Sequence, residues 1–308
     1  MTDRRILVIK LGALGDFIQA LGPMRAIRDH HLDSEITLLT TPAFEELAWA
    51  SGCVDQIWID KRPRFFQIGE WLAFRKRLHL AEFQRVYDLQ TSDRSSFYFR
   101  LFAGASRPEW SGIAQGCSHP HANPNRDFMH TRDRQREQLN MAGIEHVPTS
   151  DLSALTTDIK PFDLPARYGL LVPGGAPHRP TKRWPTQMYS QLAAHLTSLN
   201  ITPVVLGSRS EANLAREIKS GAPQTIDLTG KTNLLDICSI AKTAEIAVGN
   251  DTGPMHIAAA ADCACVVLFS AESDPALCAP RSAKTTIIRR DRLSDLGLED
   301  VIKALPIA

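Results

Sequence analysis

The spacing of apolar positions in the first half of the chain predicts alternating strands and helices. Short, β-rich apolar runs alternate with longer segments of helical periodicity, which is the pattern of a parallel sheet covered by helices. The predicted strands are Arg5–Lys10, Glu35–Thr40, Gln56–Asp60 and Arg85–Gln90, and the predicted helices are Asp16–His30, Ala43–Ser51 and Gln67–Leu80. Ligands of such sheets bind at the carboxyl ends of the strands, so the loops after the strands are the places to look for chemistry.

Two irregular stretches interrupt this pattern. Prolines and glycines between Gly104 and Met129 predict a long irregular segment, followed by a helix at Arg132–Ala142. The second stretch, Val147–Arg167, predicts the connection between two domains, residues 1–155 and 156–308. The strands predicted after it are Tyr168–Val172, Thr202–Leu206, Gln224–Asp227, Glu245–Val248, Ala264–Phe269 and Thr285–Arg289, and the helices are Pro185–Leu199, Ser210–Ser220, Leu234–Lys242 and Pro254–Ala261. The sequence therefore predicts an α/β protein made of two doubly wound halves.

Composition narrows the class of protein without identifying a function. The 308 residues are 44% hydrophobic and 22% charged, which is ordinary globular usage. A formal net charge of +1 argues against binding that depends on neutralising nucleic-acid phosphates. The sequence predicts neither a signal peptide nor a membrane span. Six cysteines without paired spacing predict reduced thiols in a cytosolic protein.

Several familiar α/β signatures are missing or incomplete. No G-x-G-x-x-G occurs, which disfavours a dinucleotide-dependent dehydrogenase. Gly230-Lys231-Thr232 resembles the end of a phosphate-binding loop, but Thr225 stands where the first glycine is needed. Cys117, His119 and His121 lack a second ligand pair and are read as loop residues, although the role of the loop around Cys117–His130 stays open. No Asp-x-Asp pair is present to hold a divalent ion.

The first candidate site directly follows the first predicted strand. Leu11-Gly12-Ala13-Leu14-Gly15-Asp16 places two glycines where backbone can approach a ligand and a carboxylate where it can face a cleft. The alternative is that Asp16 simply caps the following helix. Position in the sequence does not separate the two interpretations.

A second candidate site follows the first strand of the second half. The loop from Pro173 to Pro185 contains Gly174 and Gly175, three basic residues and a proline that begins a helix. Exposed amides beside Lys182 would suit a diphosphate. The alternative is a solvated basic loop.

A third candidate site is the segment Gly249–His256, between a predicted strand and a helix of small residues. Gly253 and Pro254 would leave free amides and the positive end of a helix dipole at the sheet edge, which is a natural site for an anion. Capping by Asp251 or Thr252 alone would explain only part of this pattern.

Taken together, the three segments resemble glycosyltransferase family 9, the bacterial heptosyltransferases of the lipopolysaccharide inner core. The resemblance rests on the strand and loop Ile6–Asp16 with Leu21, Pro23 and Ile27, on Lys182-Arg183-Trp184-Pro185, and on Asp251-Thr252-Gly253-Pro254-Met255-His256. The motifs occur in the order of the family and span both halves of the chain. One segment departs from the family pattern Phe-Gly-Pro-Thr-x-Pro and reads Phe269-Ser270-Ala271-Glu272-Ser273-Asp274-Pro275 here.

The resemblance implies the GT-B fold, two facing Rossmann-like domains, and an inverting reaction without a metal or other cofactor. The N-terminal domain would bind the acceptor and the C-terminal domain a nucleotide-sugar donor, with Asp16 as general base. The residues implied at the donor are Lys182, Thr252, Gly253 and His256 at the diphosphate with Gly174 and Gly175 beside it, Asp251 at the sugar, Glu211 at the ribose and Thr232 near the adenine.

The function implied is transfer of heptose from ADP-heptose onto an anionic, lipid-linked inner-core saccharide. Gly15, Arg62 and Arg64 are assigned to the acceptor. Basic and aromatic residues alternate at Lys61–Phe66 and recur in the helix that contains Trp71 and Phe74, which suits a cytoplasmic protein with peripheral contact at the inner membrane. The alternative for this helix is that its aromatic residues pack inward. Alternative functions are a transferase using another nucleotide sugar, or a non-catalytic nucleotide-binding protein.

Overall fold

The computed structural model describes residues 4–102, 104, 107–175 and 179–306, which divide into two compact units, Met1–Ser150 and Asp151–Ala308. The division falls shortly before the boundary predicted at residue 155. Each unit has a parallel sheet with helices, so the prediction of an α/β fold with two doubly wound halves is confirmed.

Unit 1 contains a sheet of six described strands in the order β3-β2-β1-β4-β5-β6. The strands are β1 (Arg4–Ile9), β2 (Ser34–Thr40), β3 (Gln56–Ile59), β4 (Arg85–Asp88), β5 (Glu109–Gly112) and β6 (His119–Pro120), and the helices are α1 (Leu14–His30), α2 (Glu45–Ala50), α3 (Ile68–Leu80), α4 (Asp93–Leu101) and α5 (Thr131–Met141). The strand order reverses between β1 and β4, and this switch point is where doubly wound sheets bind ligands.

Unit 2 repeats the same topology, with the order β12-β11-β10-β7-β8-β9 among its described strands. The strands are β7 (Tyr168–Val172), β8 (Thr202–Val205), β9 (Ile226–Asp227), β10 (Ile246–Asn250), β11 (Cys265–Phe269) and β12 (Thr285–Arg289), and the helices are α6 (Thr186–Ser198), α7 (Ala212–Gly221), α8 (Leu234–Thr243), α9 (Gly253–Ala260), α10 (Pro275–Cys278) and α11 (Leu298–Lys303). Its switch point lies between β7 and β10.

The predicted elements agree with the structure to within one or two residues at most of their ends, but the prediction of an irregular stretch between Gly104 and Met129 is wrong in part. Helix α4 was not predicted, because it begins with the polar residues Asp93–Ser96 after a capping box between Ser92 and Ser95. Strands β5 and β6 lie inside the stretch predicted to be irregular. They have four and two residues, too few for a period-two pattern to stand out. Helices α10 and α11 were also not predicted.

The carboxyl end of β4 carries a buried charge. The Asp88 carboxylate is fully buried and accepts hydrogen bonds from the backbone amides of Gln90 and Thr91 at 3.1 and 2.9 Å. Burial raises the pKa of Asp88 to about 6, although these bonds and the charge of Lys10 act in the opposite direction. The folded chain therefore binds a proton at Asp88 over a pH range in which the unfolded chain has released it.

This difference predicts that Asp88 contributes to a loss of stability as the pH rises from about 4 to above 6. Its folded pKa is the higher one, so the contribution is complete below the unfolded pKa and disappears above the folded pKa. We expect Asp88→Asn, which keeps an oxygen to accept both amides, to remove about 2 kcal/mol of the difference in unfolding free energy between pH 4.5 and 7.5. Urea unfolding of both proteins at both pH values measures this difference. Parallel pH profiles would contradict the assignment.

Candidate functional site

The candidate base, Asp16, lies in the first turn of α1 at the switch point of unit 1. Ala13 occupies the N-cap position of this helix and Asp16 is its third residue, so the interpretation of Asp16 as a cap is wrong. The carboxylate is half-buried and has no hydrogen bond or ion pair among the described residues. It lines a cavity of about 970 Å³ together with Gly12 and Arg62. Asp16 is therefore placed to accept a proton from a ligand in this cavity.

Of the two arginines assigned to the acceptor, only Arg62 lines this cavity. Its guanidinium donates to the Leu11 carbonyl oxygen at 3.1 Å, and its backbone amide donates to the Asp60 carboxylate at 2.8 Å. The second oxygen of Asp60 accepts the Tyr98 hydroxyl at 2.7 Å, which fixes this carboxylate. Arg64 is exposed and is not among the residues that line the cavity. The assigned Gly15 is half-buried next to Asp16.

In unit 2, the loops after β7 and β10 are joined by the side chain of Asn250, which is fully buried. Its amide nitrogen donates to the carbonyl oxygens of Pro173 and Gly174 at 2.8 and 3.0 Å. Its amide oxygen accepts the Trp184 backbone amide at 3.0 Å and the Tyr189 hydroxyl at 3.1 Å. One side chain therefore fixes the geometry of two predicted donor-binding segments. No sequence pattern indicates this role, apart from the position of Asn250 after a predicted strand.

Lys182 and Asp251 form an ion pair across these two loops. The Lys182 ammonium lies 2.7 Å from Oδ2 of Asp251, and the side chains are only 13% and 10% exposed. Ser273 donates its hydroxyl hydrogen to the same oxygen at 2.7 Å, and Nε2 of His256 lies 4.0 Å from the other oxygen. The structure therefore brings together three residues that the sequence assigned to the donor. Ser273, which lies in the segment that departs from the family pattern, was missed.

The N-terminus of α9 lies next to this ion pair. Thr252 occupies its N-cap position without a side-chain capping bond, and its hydroxyl donates instead to the Asn250 carbonyl oxygen at 3.2 Å. Gly253 and Pro254 form the start of the helix. The interpretation that the Thr252 side chain caps the helix is therefore wrong. The positive end of the helix dipole remains available to an anion.

Glu211 holds two loops of unit 2 together. Oε1 accepts the Gly175 amide at 3.0 Å, and Oε2 accepts the Ser208 amide at 2.7 Å. A side chain on Gly174 would begin 2.0 Å from Oε1, so glycine is required there for Glu211 to approach. The amide of Gly175, which the sequence suggested as a free donor, is thus bonded in this structure. Ala176, Pro177 and His178 of this loop lie outside the described residues.

Thr232 is half-buried and lies in the turn after β9, just before the N-cap of α8. This turn is bonded to the loop after β8, since the Gly230 amide donates to the Gly207 carbonyl oxygen at 2.8 Å. Lys231 donates to the Asp227 carbonyl oxygen of its own turn at 2.6 Å. That contact is consistent with rejecting Gly230-Lys231-Thr232 as a phosphate-binding loop.

The remaining sequence candidates have ordinary structural partners. His121 contacts Arg126 at 3.1 Å and Glu137 at 3.6 Å, and the Cys117 thiol points to the Gly112 carbonyl oxygen at 3.8 Å. No group of three or more His, Cys, Asp or Glu side chains in the described part of the chain has the geometry of a metal site. All six cysteines are free thiols, as predicted. None of the described helices combines the length and apolar character needed to cross a membrane.

Comparison with known proteins identifies relatives that are similar to part of this chain in sequence. The chain is similar to lipooligosaccharide heptosyltransferase 2 of Haemophilus influenzae, with 35% identity over 120 residues that cover 37% of this chain and 34% of that protein. It is 32% identical to lipopolysaccharide heptosyltransferase 2 of Salmonella typhimurium over the same shares of the two chains. The chain thus spans about a third of the length of these curated relatives.

Solved structures extend the similarity in fold to the whole chain. The structure of Escherichia coli ADP-heptose lipopolysaccharide heptosyltransferase II has a TM-score of 0.79 and 21% identity, covering 98% of this chain and 97% of that one. E. coli heptosyltransferase WaaC with ADP has a TM-score of 0.77 and 20% identity, covering 97% and 98%. These similarities confirm the predicted GT-B fold.

The profile of glycosyltransferase family 9 (heptosyltransferase) matches residues 71–300, which include most of unit 2 and the second half of unit 1. The match contains Lys182, Trp184 and the segment from Asp251 to His256. The predicted family is confirmed, and the chain belongs to glycosyltransferase family 9.

Proposed function

We propose that this protein is an inverting glycosyltransferase that moves heptose from ADP-heptose onto an anionic saccharide of the lipopolysaccharide inner core. The proposal rests on the residues that the structure has at the switch points of the two units. One holds the unpaired carboxylate of Asp16, and the other holds Lys182 beside the uncapped N-terminus of α9. Relatives named as heptosyltransferases, and neighbours solved with ADP and with an ADP-heptose analogue, support this donor.

In the proposed reaction, unit 2 binds the donor. The diphosphate would lie at the N-terminus of α9 and take Lys182 from Asp251, while the nucleoside would extend toward Glu211 and Thr232. Negative charge that develops on the leaving diphosphate would meet a cation and helix amides that are already in place, so no reorganisation is needed during bond cleavage. Positive charge from the protein would then do what a divalent ion does in other transferases.

Asp16 would act on the acceptor. An acceptor hydroxyl in the cavity of unit 1 would transfer its proton to the carboxylate as its oxygen attacks the anomeric carbon and the bond to the diphosphate breaks. The attack from the side opposite the leaving group would invert the anomeric centre. Arg62, which lines the same cavity, would contact the acceptor.

The lipid part of such an acceptor implies contact with an anionic membrane surface, and unit 1 has an exposed segment that suits it. Phe65, Phe66, Ile68 and Leu72 are 89%, 74%, 67% and 59% exposed, and basic residues such as Arg64 and Lys76 lie among them. Apolar side chains interspersed with cations favour the headgroup region of an anionic bilayer.

For helix α3, the correct interpretation is the alternative that its aromatic residues pack inward. Trp71 and Phe74 pack inward against Tyr98, with ring centroids 6.1 and 5.2 Å from its ring. The proposed contact therefore rests on Phe65, Phe66 and the outward apolar side chains of α3.

Removal of Lys182 tests the donor site. We expect Lys182→Ala to weaken ADP binding by roughly 10-fold or more, because a charge-assisted contact is lost and Asp251 is left unpaired beside the diphosphate. Titration calorimetry with ADP measures the effect, and Lys219→Ala, at an exposed residue of α7, is the matched control. The double variant Lys182→Ala/Asp251→Asn should recover part of the affinity. Equal ADP affinity in all four proteins would place the phosphates elsewhere.

The catalytic role is tested by Asp16→Asn, which is nearly isosteric with the native side chain. We expect a kcat lower by about two to four orders of magnitude with ADP affinity unchanged, since an amide cannot take the acceptor proton. Turnover is measured with ADP-heptose, and with a panel of other nucleotide sugars to test the alternative donors. An Asn variant within about threefold of wild type would show that Asp16 is not the base. A higher kcat/KM for another nucleotide sugar would replace heptose in the proposal.

Membrane contact is tested with Phe65→Ser/Phe66→Ser. We expect this variant to lose most binding to vesicles that contain an anionic lipid, measured by co-sedimentation, and Arg64→Glu to weaken it in a salt-dependent manner. Phe128→Ser, at a residue 81% exposed elsewhere in unit 1, is the matched control. If wild type and the Phe65/Phe66 variant bind equally, the segment does not contact the bilayer.

A further inference from the structure

A second, smaller cavity within unit 1 is also lined by Asp16. It has a volume of about 60 Å³ and is lined by polar residues that include Lys10, Arg126, Arg134 and Gln135. By comparison with the volume of a water molecule, about 30 Å³ in the liquid, this space suits one carboxylate or phosphate group. Asp16 lines both this cavity and the larger one.

Three cations reach this cavity from three different elements. Lys10 follows β1 and is buried, with its ammonium 3.2 Å from the Leu89 carbonyl oxygen. Arg126 lies in the loop after β6 and donates to the Thr91 hydroxyl at 2.6 Å. Arg134, on α5, donates to the Thr131 hydroxyl at 3.2 Å. All three side chains are therefore fixed by neutral acceptors.

These cations have little compensation from carboxylates. Among the described residues, no carboxylate oxygen lies within 4 Å of Lys10 or Arg134, and the ion pair of Arg126 is with Asp127, whose side chain is 87% exposed. Asp16 and the buried Asp88 act on Lys10 only through space. Burial and the nearby Arg134 both lower the pKa of Arg126, and the same two causes lower the pKa of Lys10. The like charges thus oppose one another in a desolvated site.

Gln135 adds a further polar group without a partner. Its side-chain oxygen is buried and makes no hydrogen bond with any described residue, and the residue is only 5% exposed. A buried polar atom in this state costs free energy unless a ligand or water satisfies it. A saccharide offers both kinds of group that this cavity lacks, an anion for the cations and a hydroxyl donor for Gln135.

We propose that the cavity formed by Lys10, Arg126 and Arg134 binds the carboxylate or phosphate group of the acceptor saccharide and so holds the acceptor hydroxyl against Asp16. The inference rests on the proposed glycosyl transfer and specifies how the acceptor is recognised. An anion there would be bound by guanidinium groups, which offer paired donors to carboxylate and phosphate oxygens. It would also explain why Lys10 and Arg134 converge next to a base although no carboxylate among the described residues forms an ion pair with either of them.

The first experiment measures binding of inorganic phosphate, independently of turnover. We expect calorimetry to detect phosphate binding to wild type, and Arg134→Gln and Arg126→Gln each to weaken it by roughly 10- to 100-fold. Arg136→Gln is the matched control, because Arg136 is on the same helix but 58% exposed and paired with Asp133. Near-UV circular dichroism establishes that each variant is folded. Phosphate binding that is absent in wild type, or unchanged in both folded variants, overturns the proposal.

The second experiment separates an acceptor group from a free anion. With ADP-heptose held saturating, kcat/KM is measured for an acidic acceptor saccharide and for the same saccharide with its acid converted to a neutral amide. We expect wild type to lose roughly 10- to 100-fold on the neutral acceptor, and Arg134→Gln to show no further loss there. If Arg134→Gln weakens both acceptors equally, the acceptor's anion does not bind in this cavity and the proposal is overturned.

The two experiments also distinguish this proposal from the proposed function. If no nucleotide sugar is turned over, the glycosyltransferase assignment fails, and with it the acceptor role of the cavity. Loss of phosphate binding in Arg134→Gln would then still establish a protein site for a free anion. If turnover is normal while phosphate and acceptor acidity have no effect, only the inference about this cavity fails.

Discussion

The geometry of the candidate donor site depends on a single buried amide, the side chain of Asn250. This side chain forms four hydrogen bonds in a fully buried position, where a polar group without a partner would destabilise the folded state. Trp184, which donates to it, is itself anchored through its indole nitrogen to the Leu296 carbonyl oxygen at 2.9 Å. Lys182 and Asp251 lie within two residues of this network on different loops. The fixed backbone of the two loops therefore holds the Lys182 ammonium 2.7 Å from the Asp251 carboxylate, although both side chains are flexible by themselves.

Unit 1 has buried charged groups at its switch point in addition to side-chain amides such as that of Gln138, which donates to the Asp88 carbonyl oxygen at 3.0 Å. The carboxylate of Asp60 accepts hydrogen bonds from the Tyr98 hydroxyl and the Arg62 backbone amide. The carboxylate of Asp88 accepts hydrogen bonds from two backbone amides after β4. Buried carboxylates require compensation, and the pKa of Asp88 is raised to about 6 because the effect of burial outweighs that of its hydrogen bonds and of the Lys10 charge. The cations beside Asp16 add positive charge to the same region of unit 1. The charge at the switch point of unit 1 therefore changes with pH through Asp88.

Sequence patterns predicted the elements that are long or uniformly buried. Strand β7 was placed to the residue, because all five of its positions are buried and a proline follows it. Helix α4 and strand β5 were missed because capping serines and short length leave no clear period. In the site, the loops were predicted from their position after strands, whereas the partners of their side chains were not. Nothing in the sequence distinguishes Arg62, which reaches the Leu11 carbonyl oxygen, from the exposed Arg64 two residues later.

Ser273 is another side-chain partner that sequence patterns did not predict. Its hydroxyl contributes to the balance of charge in the candidate donor site. The ion pair of Lys182 with Asp251 is nine-tenths buried, so either charge left alone would be destabilised. In the proposed reaction the diphosphate takes Lys182, and the hydroxyl of Ser273 continues to donate to the carboxylate that Lys182 leaves. A neutral ligand offers no anion to replace Asp251, and it would have to break the pair without compensation. In the proposed reaction the ion pair would therefore favour anionic donors by raising the cost of binding a ligand that cannot replace Asp251, which is discrimination by penalty rather than by added contacts.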